Sequence, residues 1–228
     1  MKLVEKSLVI KDVAKMVKKG DLGRLWFDIE TYKEPVKPAD RPVDWPDTKP
    51  GVPLRCRMKL FMVCVSYFED GDLMFRVGYS KDEAEVYRWF DGVCEGSYEA
   101  AYCSHNNFDR LVMEGKWTTA RRNRLKNSGC WPNLVSLGFK PFWEWVNVWH
   151  NKRNAGTNNL KRGEEIGGLD IVKCAEKWDK NDLDLIAIHC LRDVAGCMLE
   201  DGDYDFDNKL SSILTNLFSK AELTECDE

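Results

Sequence analysis

A chain of 228 residues with 43% apolar content is long enough to bury one sizeable core, and its composition calls for no second domain. The formal net charge is -4 with 32% charged residues, so the field of the whole molecule does not gather a polyanion, and any nucleic-acid contact must come from a local basic patch. The start, MKLVEKSLVIKDVAKMVKKGD, has no apolar run of signal-peptide form, and no later stretch reaches the roughly 18 apolar residues of a membrane span; a soluble, intracellular protein without membrane partners is expected.

Residues 8–19 carry apolar side chains at helical spacing before a Lys-Gly-Asp stop, which predicts an N-terminal helix. Leu25 to Ile29 is nearly all apolar, the pattern of a strand buried on both faces. The segment 34–53 contains Pro35, Pro38, Pro42, Pro46, Pro50 and Pro53, and proline lacks the amide that a central strand donates, so an irregular insertion loop is expected there. Two β-rich runs, 59–68 and 73–79, are joined by Glu-Asp-Gly-Asp, which has hairpin chemistry. A helix is predicted over 82–93, a buried strand over 99–104 and a helix from Phe108 to about Trp117. Residues 139–149, dense in aromatics, fit either a helix or a strand packed on the sheet, and 151–168 reads as a polar, glycine-containing loop. The strongest helical pattern is 182–200, with Leu183, Ile186, Ala187, Cys190, Val194, Cys197 and Met198 at three-to-four spacing. An acidic linker, DGDYDFDN from 201, then leads to a C-terminal helix over 210–223. Helix, strand, hairpin, helix and strand in that order predict an α/β fold, a mixed sheet flanked by helices in a single domain. Nine cysteines, odd in number and mostly within apolar runs, read as reduced core thiols; the absence of a CxxC pair argues against a zinc finger.

Several carboxylates lie where solvation costs nothing: Asp70/Asp72, Asp201/Asp203 and Asp205/Asp207 sit in polar turns and carry no signal. Asp28 and Glu30 differ because they close the apolar strand LWFDIE on one strand face, where two anions repel unless a cation lies between them. Taken alone they are also compatible with an ordinary strand-end pair. Asp109, in AAYCSHNNFDR, marks the junction of a buried strand and a helix, where a carboxylate also favours the helix dipole. Asp193 follows His189 by one helical turn, so both address one face; a core histidine and an arginine-paired aspartate are the plainer readings of each. Together the four acids form a pattern that the separate readings do not explain.

The residues that carry this pattern resemble a known family. WFDIETY at 26–32 is similar to the first motif of the DEDD 3′-to-5′ exonuclease superfamily, SHNNFDR at 104–110 to the second and IHCLRDV at 188–194 to the third, in the form found in exonuclease domains of family B DNA polymerases. The resemblance implies an RNase H-like fold around a central five-stranded sheet. It further implies two divalent cations, Mg2+ or Mn2+, with Asp28 bridging both, Glu30 and Asp193 holding the catalytic one and Asp109 anchoring the second partly through water. His189 stands at the spacing of the tyrosine subgroup but carries the basicity of the histidine subgroup, and in this reading takes a proton from the attacking water. Thr31, His105 and Asn106 are implied at the substrate end; Phe108 beside them is a candidate to stack on a terminal base, with core packing an equal reading of it.

The expected reaction is two-metal hydrolysis of phosphodiester bonds at the 3′ end of DNA, single strands preferred. An exoribonuclease of the same superfamily and a catalytically silent nucleic-acid-binding module with the same fold stand as alternatives. Arg121–Lys126 and the cluster Lys152, Arg153, Lys161, Arg162 are candidate phosphate contacts, and 34–53 and 151–168 are candidate flaps over the site. With about thirty-five residues after the third motif and no polymerase region, a stand-alone trimming or proofreading factor, or a subunit recruited by a protein partner, is expected.

Overall fold

The computed structural model describes residues 3–19, 23–35, 56–94, 98–103, 109, 113, 146–151, 183–199, 201, 204–218 and 224–225. Its strands are β1 (Val4–Ile10), β2 (Val17–Lys19), β3 (Arg24–Pro35), β4 (Cys56–Glu69), β5 (Asp72–Tyr79), β6 (Tyr98–Cys103), β7 (Val146–Asn151), β8 (Asp205–Phe206) and β9 (Thr224–Glu225). Its helices are α1 (Glu83–Cys94), α2 (Leu183–Leu199) and α3 (Asn208–Phe218), with a 3-10 turn at Val13–Met16. Asp109 and Met113 are also helical.

The expected α/β character holds, but the main sheet has seven strands rather than five, in the order β7-β6-β3-β4-β5-β1-β9, and β2 pairs with β8 in a separate ribbon. From β3 through β4, β5 and β1 to β9 neighbours are antiparallel; β6 runs parallel to β3, and β7 parallel to β6. One additional strand, β1, occupies part of the segment whose spacing predicts a helix. Its seven residues pair along their whole length with β5, from Val4 opposite Tyr79 to Ile10 opposite Leu73, so β5 supplies backbone partners that a lone helix would have to find within itself. Val4, Val9 and Ile10 are β-branched and favour the extended chain. Asp12, at φ 58°, then turns the chain, and only the single 3-10 turn of the predicted helix forms.

The hairpin expected between the two β-rich runs is present. Asp70 (φ 50°) and Gly71 (φ 88°) make a two-residue turn with both residues left-handed, the geometry that matches the twist of paired strands. Asp72 is more than a solvated turn acid, since it accepts Lys11 Nζ at 2.6 Å and the Asp12 amide at 2.9 Å. Glu34 and Pro35, expected in the insertion loop, belong to β3, opposite Arg57 and Cys56, and the rest of that segment, 36–53, lies outside the described residues. Of the aromatic segment 139–149, 146–149 is strand. Helices α1, α2 and α3 fall close to the ranges predicted for them.

Period-two alternation on β3 sorts the core into two layers. Leu25, Phe27 and Ile29 pack with Val63, Val65 and Tyr67 beneath Val86, Tyr87 and Phe90 of α1. Trp26 faces the other way with Met62, Cys64 and Phe68, beneath Ile186, Cys190, Val194 and Cys197 of α2. A bulge interrupts the β3–β4 ladder between Glu30 and Thr31: Glu30 pairs with Met62, Thr31 with Leu60, and Phe61 is the extra residue. Its irregular backbone is satisfied locally, because the Leu60 amide donates to the buried Glu83 Oε1 at 2.9 Å and the Ser80 amide to the Phe61 carbonyl at 3.0 Å. The bulge swaps the faces, so Leu60 joins the α1 layer and Phe61 the α2 layer.

The chain after α2 clasps it to β3. Asp201, only 2% exposed, accepts Arg24 Nη1 at 2.6 Å and Trp26 Nε1 at 3.0 Å. Tyr204 meets the Trp26 ring edge-on at 5.0 Å between centroids, and the Arg24 guanidinium lies over the Tyr204 ring at 5.3 Å. The expectation that Asp201 is a solvated turn residue is therefore wrong: sequence polarity around it hides that Arg24 and Trp26 arrive from β3 with donors that burial obliges to be satisfied. Asp207, in the same linker, accepts the Lys209 amide at 2.9 Å at the start of α3. Removing one partner of a buried ion pair costs about 3–5 kcal/mol. Asp201→Ala is accordingly expected to lower unfolding free energy by at least about 3 kcal/mol in urea titration, and a loss below about 1 kcal/mol would show that the clasp does not hold α2.

Candidate functional site

Asp28 and Glu30 lie two residues apart on β3 and so share the face that carries Trp26, the face covered by α2. Asp28 is 7% exposed and stands directly opposite Cys64 of β4. Cys190 of α2 reaches down onto the same spot, its Sγ donating to Asp28 Oδ2 at 3.6 Å, while Cys64 Sγ donates to the Ala187 carbonyl at 3.9 Å. Ligand atoms of Asp28, Glu30 and Cys190 all lie within 4.8 Å of one another. Two strand carboxylates and one helix thiol thus converge where the bulge interrupts the β3–β4 ladder.

The electrostatics of the two thiols record the same convergence. Burial pushes the Cys64 thiol up to about 11, and the charges of Asp28, Glu30 and Asp193 push it in the same direction, offset in part by its contact with Cys190. Cys190 is raised well above its ordinary value, mainly by burial, then by Cys64, Asp28 and Glu30. Both sulfurs are therefore neutral thiols near neutral pH, as expected for reduced core cysteines; Cys94 and Cys197 are likewise buried and in no disulfide.

Of the predicted site residues, Asp28 and Glu30 are brought together. Asp193 is near enough for its charge to reach Cys64, yet it stands outside the 4.8 Å group, as does Asp109. Asp109 is 3% exposed, and Met113, one helical turn further on, packs into the α1 layer rather than the α2 layer. His189 is 5% exposed and its Nε2 lies 3.5 Å from Asp193 Oδ2, so the shared helix face appears as a direct contact between the two. Thr31 is buried at the bulge. His105, Asn106 and Phe108, the basic runs 121–126 and 152–162, and the candidate flaps from 36 to 53 and 152 to 168 lie outside the described residues. Cys190 is the member that sequence reasoning missed. Its signal is its place three residues before Asp193, on the same side of α2 as the buried stripe.

No protein-family profile, curated protein or solved structure matches the chain. Among the described residues no helix is long and apolar enough to cross a membrane.

A thiol held protonated by the fold makes stability depend on pH. The Cys64 value is raised from 9.0 to about 11, so the unfolded chain gives up this proton first, and the stabilisation present below pH 9 is lost as pH rises toward 11. Urea melts at about pH 8 and about pH 10.5 should show a fall on the order of 2 kcal/mol from this group, and Cys64→Val should lose that part of the pH dependence. Equal pH dependence in the two proteins would contradict the assignment.

Proposed function

We propose that the protein is a metal-dependent 3′-to-5′ exonuclease of the DEDD, RNase H-like type, acting on the 3′ ends of DNA with single strands preferred. The observation that carries this reading is the convergence of Asp28, Glu30 and the Asp193-bearing helix α2 around one buried spot on the sheet. The strand run β7-β6-β3-β4-β5, two parallel neighbours beside three antiparallel strands, supports it as the five-stranded mixed sheet that the family resemblance implies. So does the order of the three motifs.

The donor chemistry fits a hard divalent cation. The carboxylate oxygens of Asp28 and Glu30 lie within 4.8 Å of each other; at an effective dielectric of about 20, two such charges repel by about 3 kcal/mol or more, and a cation between them reverses the sign. Protonated thiols leave carboxylate oxygens as the charged donors, which suits Mg2+ or Mn2+. Asp28 and Glu30 would hold the ions from β3, Asp193 from α2 and Asp109 from the helical stretch after β6. When bound, the ions supply Lewis acidity for in-line displacement at phosphorus. His189 takes a proton from the attacking water, and Asp193, at 3.5 Å from Nε2, stabilises the imidazolium that results. The bulge beside Glu30 is the kind of strand irregularity that re-aims side chains next to reactive sites.

Matched 5′-labelled single-stranded DNA and RNA oligonucleotides incubated with Mg2+, Mn2+ or EDTA test the proposal. A ladder of shortened products is expected with either metal, abolished by EDTA and by Asp28→Ala and slowed about 10²–10⁴-fold by His189→Ala. Preferential loss of the RNA would reassign the substrate to an exoribonuclease. Intact DNA and RNA under every condition would sink the enzymatic reading in favour of a binding module.

A further inference from the structure

Cys190 is the donor at this site that the hydrolytic chemistry leaves unused. Its sulfur lies 3.6 Å from Asp28 Oδ2, and the tightest group of potential ligands among the described residues is Asp28, Glu30 and Cys190, not the four carboxylates alone. Around a tetrahedral ion with metal–oxygen and metal–sulfur bonds of about 2.0 and 2.3 Å, neighbouring oxygen and sulfur ligands stand about 3.5 Å apart. The Cys190–Asp28 separation already matches that value. Cys64, though in contact with Cys190, stands outside that group and donates to the Ala187 carbonyl.

We propose that Asp28, Glu30 and Cys190 form a mixed oxygen–sulfur site for a thiophilic divalent cation of the Zn2+ or Cd2+ class. This rests on the metal-holding reading of Asp28 and Glu30 above and adds a selectivity to it. A hard ion engages the carboxylates and leaves the thiol protonated. A thiophilic ion takes the thiolate as well: the Cys190 S–H bond breaks, its electron pair forms the sulfur–metal bond, and the proton leaves to solvent with no change in oxidation state. The strand supplies two charges and the helix supplies the soft ligand, so the two classes of cation compete for one face of β3. Binding of the thiophilic class also pins α2 to β3 through a coordinate bond.

The test is direct metal binding by the full-length protein under a non-chelating reductant. Cadmium titration is followed by thiolate-to-cadmium ultraviolet absorbance, with Mn2+ release followed by electron paramagnetic resonance. Wild type is expected to take up cadmium with a thiolate band that Cys190→Ser loses and Cys64→Ser retains, while Asp28→Asn weakens cadmium binding by at least about ten-fold, the lower end of what loss of even an outer ligand costs. Cadmium should displace bound Mn2+. X-ray absorption at the cadmium edge of the wild-type protein loaded with one equivalent needs no variant to fold: one sulfur among oxygens supports the site, and an all-oxygen or multi-sulfur shell overturns it. A band unchanged in Cys190→Ser assigns the metal to other cysteines and also overturns it. Mn2+ binding that depends on Asp28 without a Cys190-dependent cadmium band defeats this inference and leaves the hydrolytic metal site standing. The reverse result supports the mixed site and removes the basis for the hydrolytic one.

Discussion

The seating of α2 across β3 and β4 is the constraint on which the rest of the structure depends. The helix buries Ile186, Cys190, Val194 and Cys197 against Trp26, Met62 and Cys64, and each large apolar side chain so covered contributes about 1.5–3 kcal/mol. Apolar packing is non-directional and does not by itself fix where along β3 the helix comes to rest. The directional part comes from Asp201 just beyond its end, which satisfies both Arg24 and Trp26, with Tyr204 packed on the same two residues. With that end tied, Cys190 lands on Asp28 about two and a half turns back from the end of the helix, and Asp193 lies between the two anchors.

The same seating places ionisable groups in an environment that works against charge. Asp28 is nearly covered, Cys64 and Cys190 are fully so, and the negative field of Asp28 and Glu30 adds to burial in keeping both sulfurs protonated, with Asp193 adding to it at Cys64. A divalent cation on this face would relieve the carboxylates and make a thiolate acceptable at Cys190. The proposed hydrolytic site and the proposed mixed site are therefore two outcomes of one electrostatic arrangement, separated by the softness of the ion.

The β3–β4 bulge links the two layers of the fold to this arrangement. It interrupts the ladder beside Glu30, sends Leu60 to the α1 side and Phe61 to the α2 side, and is held by Glu83 in the first turn of α1. A carboxylate on the helix of one layer thus fixes the backbone opposite a carboxylate facing the other.

Much of this was legible from residues alone. The buried run at 25–29, the Asp-Gly hairpin, α1 and the apolar stripe of α2 follow from local periodicity and turn chemistry, because each is decided by neighbours in sequence. Asp28 and Glu30 were recognisable as a pair on one face because strand alternation is a local rule. The tertiary structure alone decided that residues 4–10 form a strand, since the apolar spacing from residue 8 onward fits a helix and only pairing along β5 selects the extended form. It alone revealed the bulge at Phe61, the burial of Asp201 within an acidic linker, and the approach of Cys190 to Asp28 across 162 positions of chain. Each of these depends on a partner distant in sequence, and no local pattern carries the coordinates of a distant partner.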